Sequence, residues 1–234
     1  MAMRTIVLLL VYVVIIILVI PVLIILYLLR LKLPFFWITK GVLKFGQKIL
    51  GVRLEVCGLE NIDKKKFYIF MPNHLSILDG PIMLMLIPQP VRVILKKEVF
   101  RIPVIGQVMR HVNFVSVDRR GKRGGKESIE KATKLMKEKG YSFLIFPEGT
   151  RSPNGKLQKF RRGGFFLAVN SRAPIVPVTI TGTYELMPKG SFFIKRGKIR
   201  VAFYPPVSVR GMDRDSIPVL LSKVKTTILS GLNE

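Results

Sequence analysis

Residues 67–86 read FYIFMPNHLSILDGPIMLML. The run from Phe67 to Met71 is apolar and short enough for a buried strand, and Pro72 with Asn73 closes it. The run from Pro81 to Leu86 is apolar at a length that suits a buried helix. Ser76 and Asp79 have the Ser-x-x-Asp spacing of a capping box, which predicts a helix start near Ser76. The stretch is therefore a strand, a tight turn and a helix, and the turn holds His74, one of only two histidines in 234 residues.

The rest of the chain repeats this alternation from about residue 52. Strand-like runs occur at 52–58 (VRLEVCG), 91–97 (VRVILKK), 112–118 (VNFVSVD), 141–146 (YSFLIF), 174–180 (PIVPVTI) and 199–204 (IRVAFY). Helical spacing is clear at 125–140, where Ile129, Ala132, Leu135 and Met136 precede a Gly140 stop, and at 163–173 and 217–232. Strands apolar on both faces and separated by helices predict an α/β fold with a mostly parallel central sheet covered by helices on both faces. The basic segment 118–126 (DRRGKRGGK) reads as the most flexible loop. Its Gly121 to Gly125-Lys126 spacing is one residue short of a phosphate-binding Walker loop, and Glu127 stands where Ser or Thr would bind metal, which excludes nucleoside triphosphate hydrolysis.

Thirty-nine Lys+Arg against 14 Asp+Glu give a formal charge of +25, so the partners are polyanions: nucleic acid, an anionic membrane face or phosphorylated substrates. No nucleic-acid motif and no basic–aromatic stacking stripe is present, so no nucleic acid is expected. The lone Cys57 excludes an internal disulfide and fits a reducing compartment and a core position. Residues 5–29 carry no charge, and as a helix they would extend about 37 Å against a hydrocarbon core of about 30 Å. The run is too long for a signal peptide and lacks a small-residue cleavage site, which predicts a retained membrane segment. One cation, Arg4, precedes it, and Arg30, Lys32, Lys40, Lys44 and Lys48 follow, placing the main body on the cytoplasmic side of the cell membrane. Pro21 interrupts the run, so spanning and one-leaflet insertion as a hairpin both remain open. From about 34 to 50, Lys40, Lys44 and Lys48 oppose Phe35, Ile38, Val42, Phe45 and Ile49, the pattern of an interfacial amphipathic helix. The expected organisation is membrane-anchoring helices over 1–50 and an α/β catalytic domain over 51–234.

In such a fold, ligands gather at the carboxyl ends of the strands. His74 follows one strand end. Within one helix a five-residue separation would point two side chains roughly 140° apart. With His74 ahead of the helix and Asp79 in its first turn, the imidazole can fold back onto the carboxylate. The carboxylate would then accept the proton of one ring nitrogen and leave the other as a base. Alone, His-x4-Asp is an ordinary turn and cap. Here it has company: Glu148, Gly149, Thr150 and Arg151 follow the strand ending at Phe146-Pro147, Arg119 follows a third strand, and Lys96 and Lys97 end a fourth. Basic residues at strand ends, around a His–Asp pair, describe a phosphate-binding active site.

The order NHLSILD (73–79), FPEGTRS (146–152), APIVPV (173–178) resembles the 1-acylglycerol-3-phosphate (lysophosphatidate) acyltransferases of the glycerolipid acyltransferase superfamily. The resemblance covers 73 to about 180. It implies that His74 and Asp79 are catalytic and that Arg119, Glu148, Gly149 and Arg151 bind substrate. Family members commonly carry Gly early in the second motif, five residues before its Asp, where this chain has Asn113. No Gly-x-Ser-x-Gly elbow is present, so the acceptor's hydroxyl is expected to attack directly. His74 would take its proton, Arg151, Arg119 and Lys96 or Lys97 would hold the acceptor phosphate, and Glu148 would contact the glycerol. The resemblance implies acyl transfer from acyl-CoA or acyl carrier protein to the sn-2 hydroxyl of lysophosphatidate, with no bound cofactor and no metal. Other acceptors in the same class are glycerol 3-phosphate and lysophospholipids with a head group; the alternative of a different class, resting on the +25 charge, is a basic membrane-tethered nucleic-acid-binding protein.

Overall fold

A computed structural model describes residues 21–233 except 23, 104, 119–121 and 192. Most of the apolar run 5–29, and Arg119, lie outside the described residues. Among the described residues, no helix is long and apolar enough to cross a membrane. The elements run α1 (Lys32–Ile49), β1 (Val52–Cys57), β2 (Ile69–Pro72), α2 (Asp79–Leu86), β3 (Val91–Lys96), α3 (Ile105–His111), β4 (Val115–Val117) and α4 (Lys122–Lys139). They continue with β5 (Ser142–Leu144), α5 (Gly163–Ser171), β6 (Ile175–Thr181), α6 (Thr183–Leu186), β7 (Gly197–Phe203) and α7 (Ile217–Leu232).

One seven-stranded sheet has the order β1-β7-β6-β2-β5-β3-β4. Strands β6, β2, β5, β3 and β4 are parallel. Strand β7 pairs antiparallel with β6 and parallel with β1, so two strands run against the other five. The sequence order explains the central strand. All four residues of β2 are buried. Phe70 belongs to one core, with Met83 and Val93, and Ile69 and Met71 belong to the other, with Phe143 and Phe165. A strand that buries both faces must be apolar throughout, and helices must cover both sides. The pair β1–β7 instead alternates covered and exposed positions and joins Glu55 to Lys198 at 2.6 Å on its open side; Cys57, expected in the core, falls on an exposed position at the end of β1.

Helix α1 is held against α2 and β1, so the amphipathic segment is part of the body as well as a surface. Phe36 is buried, and the guanidinium of the buried Arg92 lies between the Phe36 and Tyr141 rings at 4.6 and 3.8 Å. This is cation–π packing of a charge that burial would otherwise penalise. The expected lysine face is partly turned inward. Lys40 donates to the carbonyl of Ile87, the cap residue that ends α2, where the helix dipole favours a cation. Burial lowers the Lys40 ammonium pKa below its ordinary value. Trp37 and Phe45 remain more than half exposed.

Two local expectations change. The segment 118–126 is not loop throughout, because α4 begins at Lys122 and contains Gly124 and Gly125. A β-carbon on Gly124 would lie 2.7 Å from that of Asp118, so the absent side chain lets the first turn of α4 pack against Asp118. Asn113, where glycine was the family expectation, adopts φ +59°. It closes α3 with N–H bonds from Asn113 to Arg110 O and from Phe114 to Met109 O, the Schellman pattern. Asparagine tolerates the left-handed region better than most residues, so the turn survives the exchange.

Candidate active site

Parallel neighbours end at the same edge of a sheet, and that brings distant segments together. Strand β2 lies between β6 and β5, and β5 pairs with β3. His74 after β2, Lys96 at the end of β3 and the segment 146–152 after β5 therefore converge, although 74 residues separate His74 from Glu148. The end of β2 is pinned by Asn73. Its side chain donates to Ile180 O at 2.8 Å and accepts the Ile180 N–H at 2.7 Å.

The His–Asp pair is formed. His74 Nδ1 lies 2.9 Å from Asp79 Oδ2, and Asp79 is fully buried. The same oxygen accepts the backbone N–H groups of Leu75 at 2.7 Å and Ser76 at 2.8 Å. Those donors explain why α2 starts at Asp79 and not near Ser76. Residues 75–78 wrap the carboxylate as a turn before helical hydrogen bonding begins. Half of the expected capping box is present in the Asp79–Ser76 bond. The Ser76 hydroxyl accepts the Leu78 N–H at 3.3 Å and donates to Met187 O at 2.6 Å, anchoring the turn to the loop after α6. A neutral imidazole that donates Nδ1–H to this carboxylate carries its lone pair on Nε2. Phe146 stacks on the imidazole with ring centroids 3.9 Å apart.

The 146–152 segment acts on the His74 backbone. Glu148 Oε1 accepts the His74 N–H at 2.6 Å and Oε2 accepts the Gln158 N–H at 2.8 Å. Ser152 N–H donates to His74 O at 2.8 Å. Glu148 is 3% exposed and does not line the cavity, which corrects its expected contact with the glycerol: both oxygens are committed to the main chain. Burial raises its pKa above the ordinary value of 4.5, and the N–H bonds from Gln158 and His74 offset part of the rise. A raised native pKa means that the native state binds more protons than the unfolded chain. The Glu148 contribution to stability therefore declines as pH rises from 4.5 through the raised value. Glu148→Gln should remove that component from the pH dependence of the thermal midpoint. Glu148→Ala leaves two partly buried N–H groups without their acceptor and should cost about 2–5 kcal/mol in a denaturant melt.

His74 lines a cavity of about 1050 Å³. Its apolar walls come from both faces of the sheet: Val93, Leu95 and Phe146 from one core, Ile94, Ile129 and Phe166 from the other. Lys96, Arg151 and Gly149 also line it. Lys97 does not; it begins the turn after β3 and lies 3.6 Å from Asp118. Arg161, Lys189 and Arg214 line the cavity without having been foreseen. Only Arg161 left a signal, as part of the basic pair preceding Gly163-Gly164.

A family profile described as Acyltransferase matches residues 53–181. The chain is 34% identical over 169 residues to a 1-acyl-sn-glycerol-3-phosphate acyltransferase of Limnanthes alba, covering 72% of this chain and 59% of that relative. A Borreliella burgdorferi protein of the same name is 29% identical over 197 residues, covering 84% of this chain and 78% of that protein. The chain spans little more than half the length of the plant relatives it matches. Among solved structures, the 1-acyl-sn-glycerophosphate acyltransferase PlsC of Thermotoga maritima superposes with a TM-score of 0.74 at 30% identity, covering 85% of this chain and 78% of that one.

Proposed function

The chain belongs to the acyltransferase family, and on that footing we propose that it transfers a fatty acyl group from a thioester to the sn-2 hydroxyl of lysophosphatidate, giving phosphatidate. The observation that carries this reading is the position of His74, oriented by Asp79 at 2.9 Å, on a cavity lined by apolar side chains together with Lys96, Arg151 and Arg161. An acyl chain matches the apolar walls, and a phosphate ester matches Lys96 and Arg151. The relatives named for this acceptor support the same choice.

His74 Nε2 takes the proton of the acceptor hydroxyl as its oxygen attacks the thioester carbonyl. The new carbon–oxygen bond gives a tetrahedral intermediate, and Asp79 balances the imidazolium charge beside it. The carbon–sulfur bond then breaks. The departing thiolate has a conjugate acid of pKa about 8.5 in model thiols and takes the proton back from His74. No protein nucleophile enters, and no bound cofactor is needed, since acyl-CoA or acyl carrier protein is consumed as substrate. The apolar run 5–29 and the exposed Trp37 and Phe45 of α1 would hold the site at an anionic membrane face, where acceptor and product reside.

The test is incubation of the purified chain in vesicles with lysophosphatidate and a panel of acyl-CoA and acyl carrier protein donors, read by mass spectrometry. Glycerol 3-phosphate and other lysophospholipids serve as competing acceptors. Formation of phosphatidate is the expected result, and its absence with every donor overturns the reading. Arg151→Ala should raise the lysophosphatidate KM roughly tenfold to a hundredfold with kcat within about threefold, the pattern of a lost ground-state contact to a charged group. An unchanged KM would remove Arg151 from the phosphate site.

A further inference from the structure

Among the described residues, Lys96, Lys126, Arg151, Arg161, Lys189 and Arg214 line the cavity. Lys126 lies 3.8 Å from Glu130 on the same helix, and Lys97, outside the cavity, is paired with Asp118. Arg151 and Arg161 both line the cavity, and neither has a carboxylate partner among the described residues. Uncompensated arginines on one concave surface attract an anion, and the planar guanidinium suits phosphate in particular.

Gly149 explains how Arg161 comes to be there. Its φ is +75°, and a β-carbon built on it would lie 2.7 Å from Arg161 Nε and 2.8 Å from Arg161 Cδ. The Arg161 side chain thus crosses the turn through the space a side chain at 149 would occupy. Its backbone N–H donates to Pro147 O at 2.8 Å, fixing the stem beside the same turn. Arg151 leaves that turn two residues after Gly149. The bland alternative, glycine as a turn former alone, accounts for the positive φ but not for the guanidinium laid over it.

We propose that Arg161 is a phosphate-binding residue of the acyl-transfer site, acting beside Arg151, and that Gly149 serves to keep its path open. The proposal rests on the acyltransfer reading above. The shared chemistry is a phosphate ester, and two substrates offer one: the acceptor's phosphomonoester and the phosphodiester of a donor's phosphopantetheine arm.

The experiment is steady-state kinetics on the full chain, varying lysophosphatidate at saturating donor and then the reverse. Arg161→Ala should raise one of the two KM values roughly tenfold to a hundredfold, and the substrate affected identifies the phosphate held. Arg161→Lys, which keeps the charge and loses the fork, should fall between. Gly149→Ala should raise the same KM, and that increase should shrink to within about twofold in the Arg161→Ala background, because the blocked side chain is already gone. Both KM values unchanged in Arg161→Ala, or Gly149 and Arg161 effects that multiply, overturn the proposal. A second readout separates its failure from failure of the functional reading. If the wild-type chain transfers no acyl group, sn-glycerol 3-phosphate should still raise the thermal midpoint of wild type and not of Arg161→Ala; equal shifts in the two overturn the phosphate site.

Discussion

His74→Ala is expected to lower kcat by about 10² to 10⁴-fold, the range attributed to general-base assistance, while the KM for lysophosphatidate stays within a few-fold. The structure makes the variant interpretable. Removing the imidazole takes one donor from Asp79 Oδ2 but leaves the N–H groups of Leu75 and Ser76, so the buried carboxylate stays hydrogen-bonded. The backbone of residue 74 is held independently by Glu148 and Ser152. The loss of the Phe146 stack and one side-chain hydrogen bond should cost about 1–2 kcal/mol, leaving a folded protein. Turnover by mass spectrometry, alongside a denaturant melt, checks this. A folded His74→Ala protein retaining more than about a tenth of wild-type turnover would rule out the dyad.

Asp79→Ala should reduce turnover as far as His74→Ala does and should also destabilise the protein, by about 2–6 kcal/mol. Two N–H groups lose their buried acceptor, each at about 1–3 kcal/mol. Because the pair acts as a unit, His74→Ala/Asp79→Ala should lose no more activity than the worse single variant. Asp79→Asn separates charge from geometry. Three donors converge on one carboxylate oxygen, so the amide must keep its oxygen at that vertex and cannot turn its NH₂ toward the ring. The imidazole tautomer is then preserved and the anion opposite the imidazolium is lost. An intermediate fall in kcat of roughly 10 to 100-fold is expected, near the worth of a hydrogen bond to a charged partner. Wild-type turnover in Asp79→Asn would show that the carboxylate charge contributes nothing.

The two runs of 67–86 fell where periodicity placed them, because β2 buries both faces and can only be apolar. The helix boundary did not. Spacing put it near Ser76, and the acceptance of two backbone N–H groups by Asp79 moved it to Asp79. Lys96 and Lys97 are indistinguishable in sequence. One lines the cavity and the other turns to Asp118, because successive residues leaving a strand diverge. Lys40 belonged by period to a solvated face and is instead held at the end of α2, which no pattern within α1 encodes.

By itself the sequence determined the α/β class, the seven strand runs, the family and the His74–Asp79 pair, since each depends on residues close together or on fixed spacing along one element. Tertiary structure alone decided what Glu148 and Gly149 do. Glu148 braces the main chain of a histidine 74 residues away, and Gly149 vacates space for an arginine twelve residues on. The Glu148 role arises because β2 and β5 became neighbours and ended at one edge of the sheet, and the Gly149 role because the segment after β5 folds back on itself, with the Arg161 N–H bonded to Pro147 O. Local pattern records which face of an element is buried, but not which loop will stand opposite it.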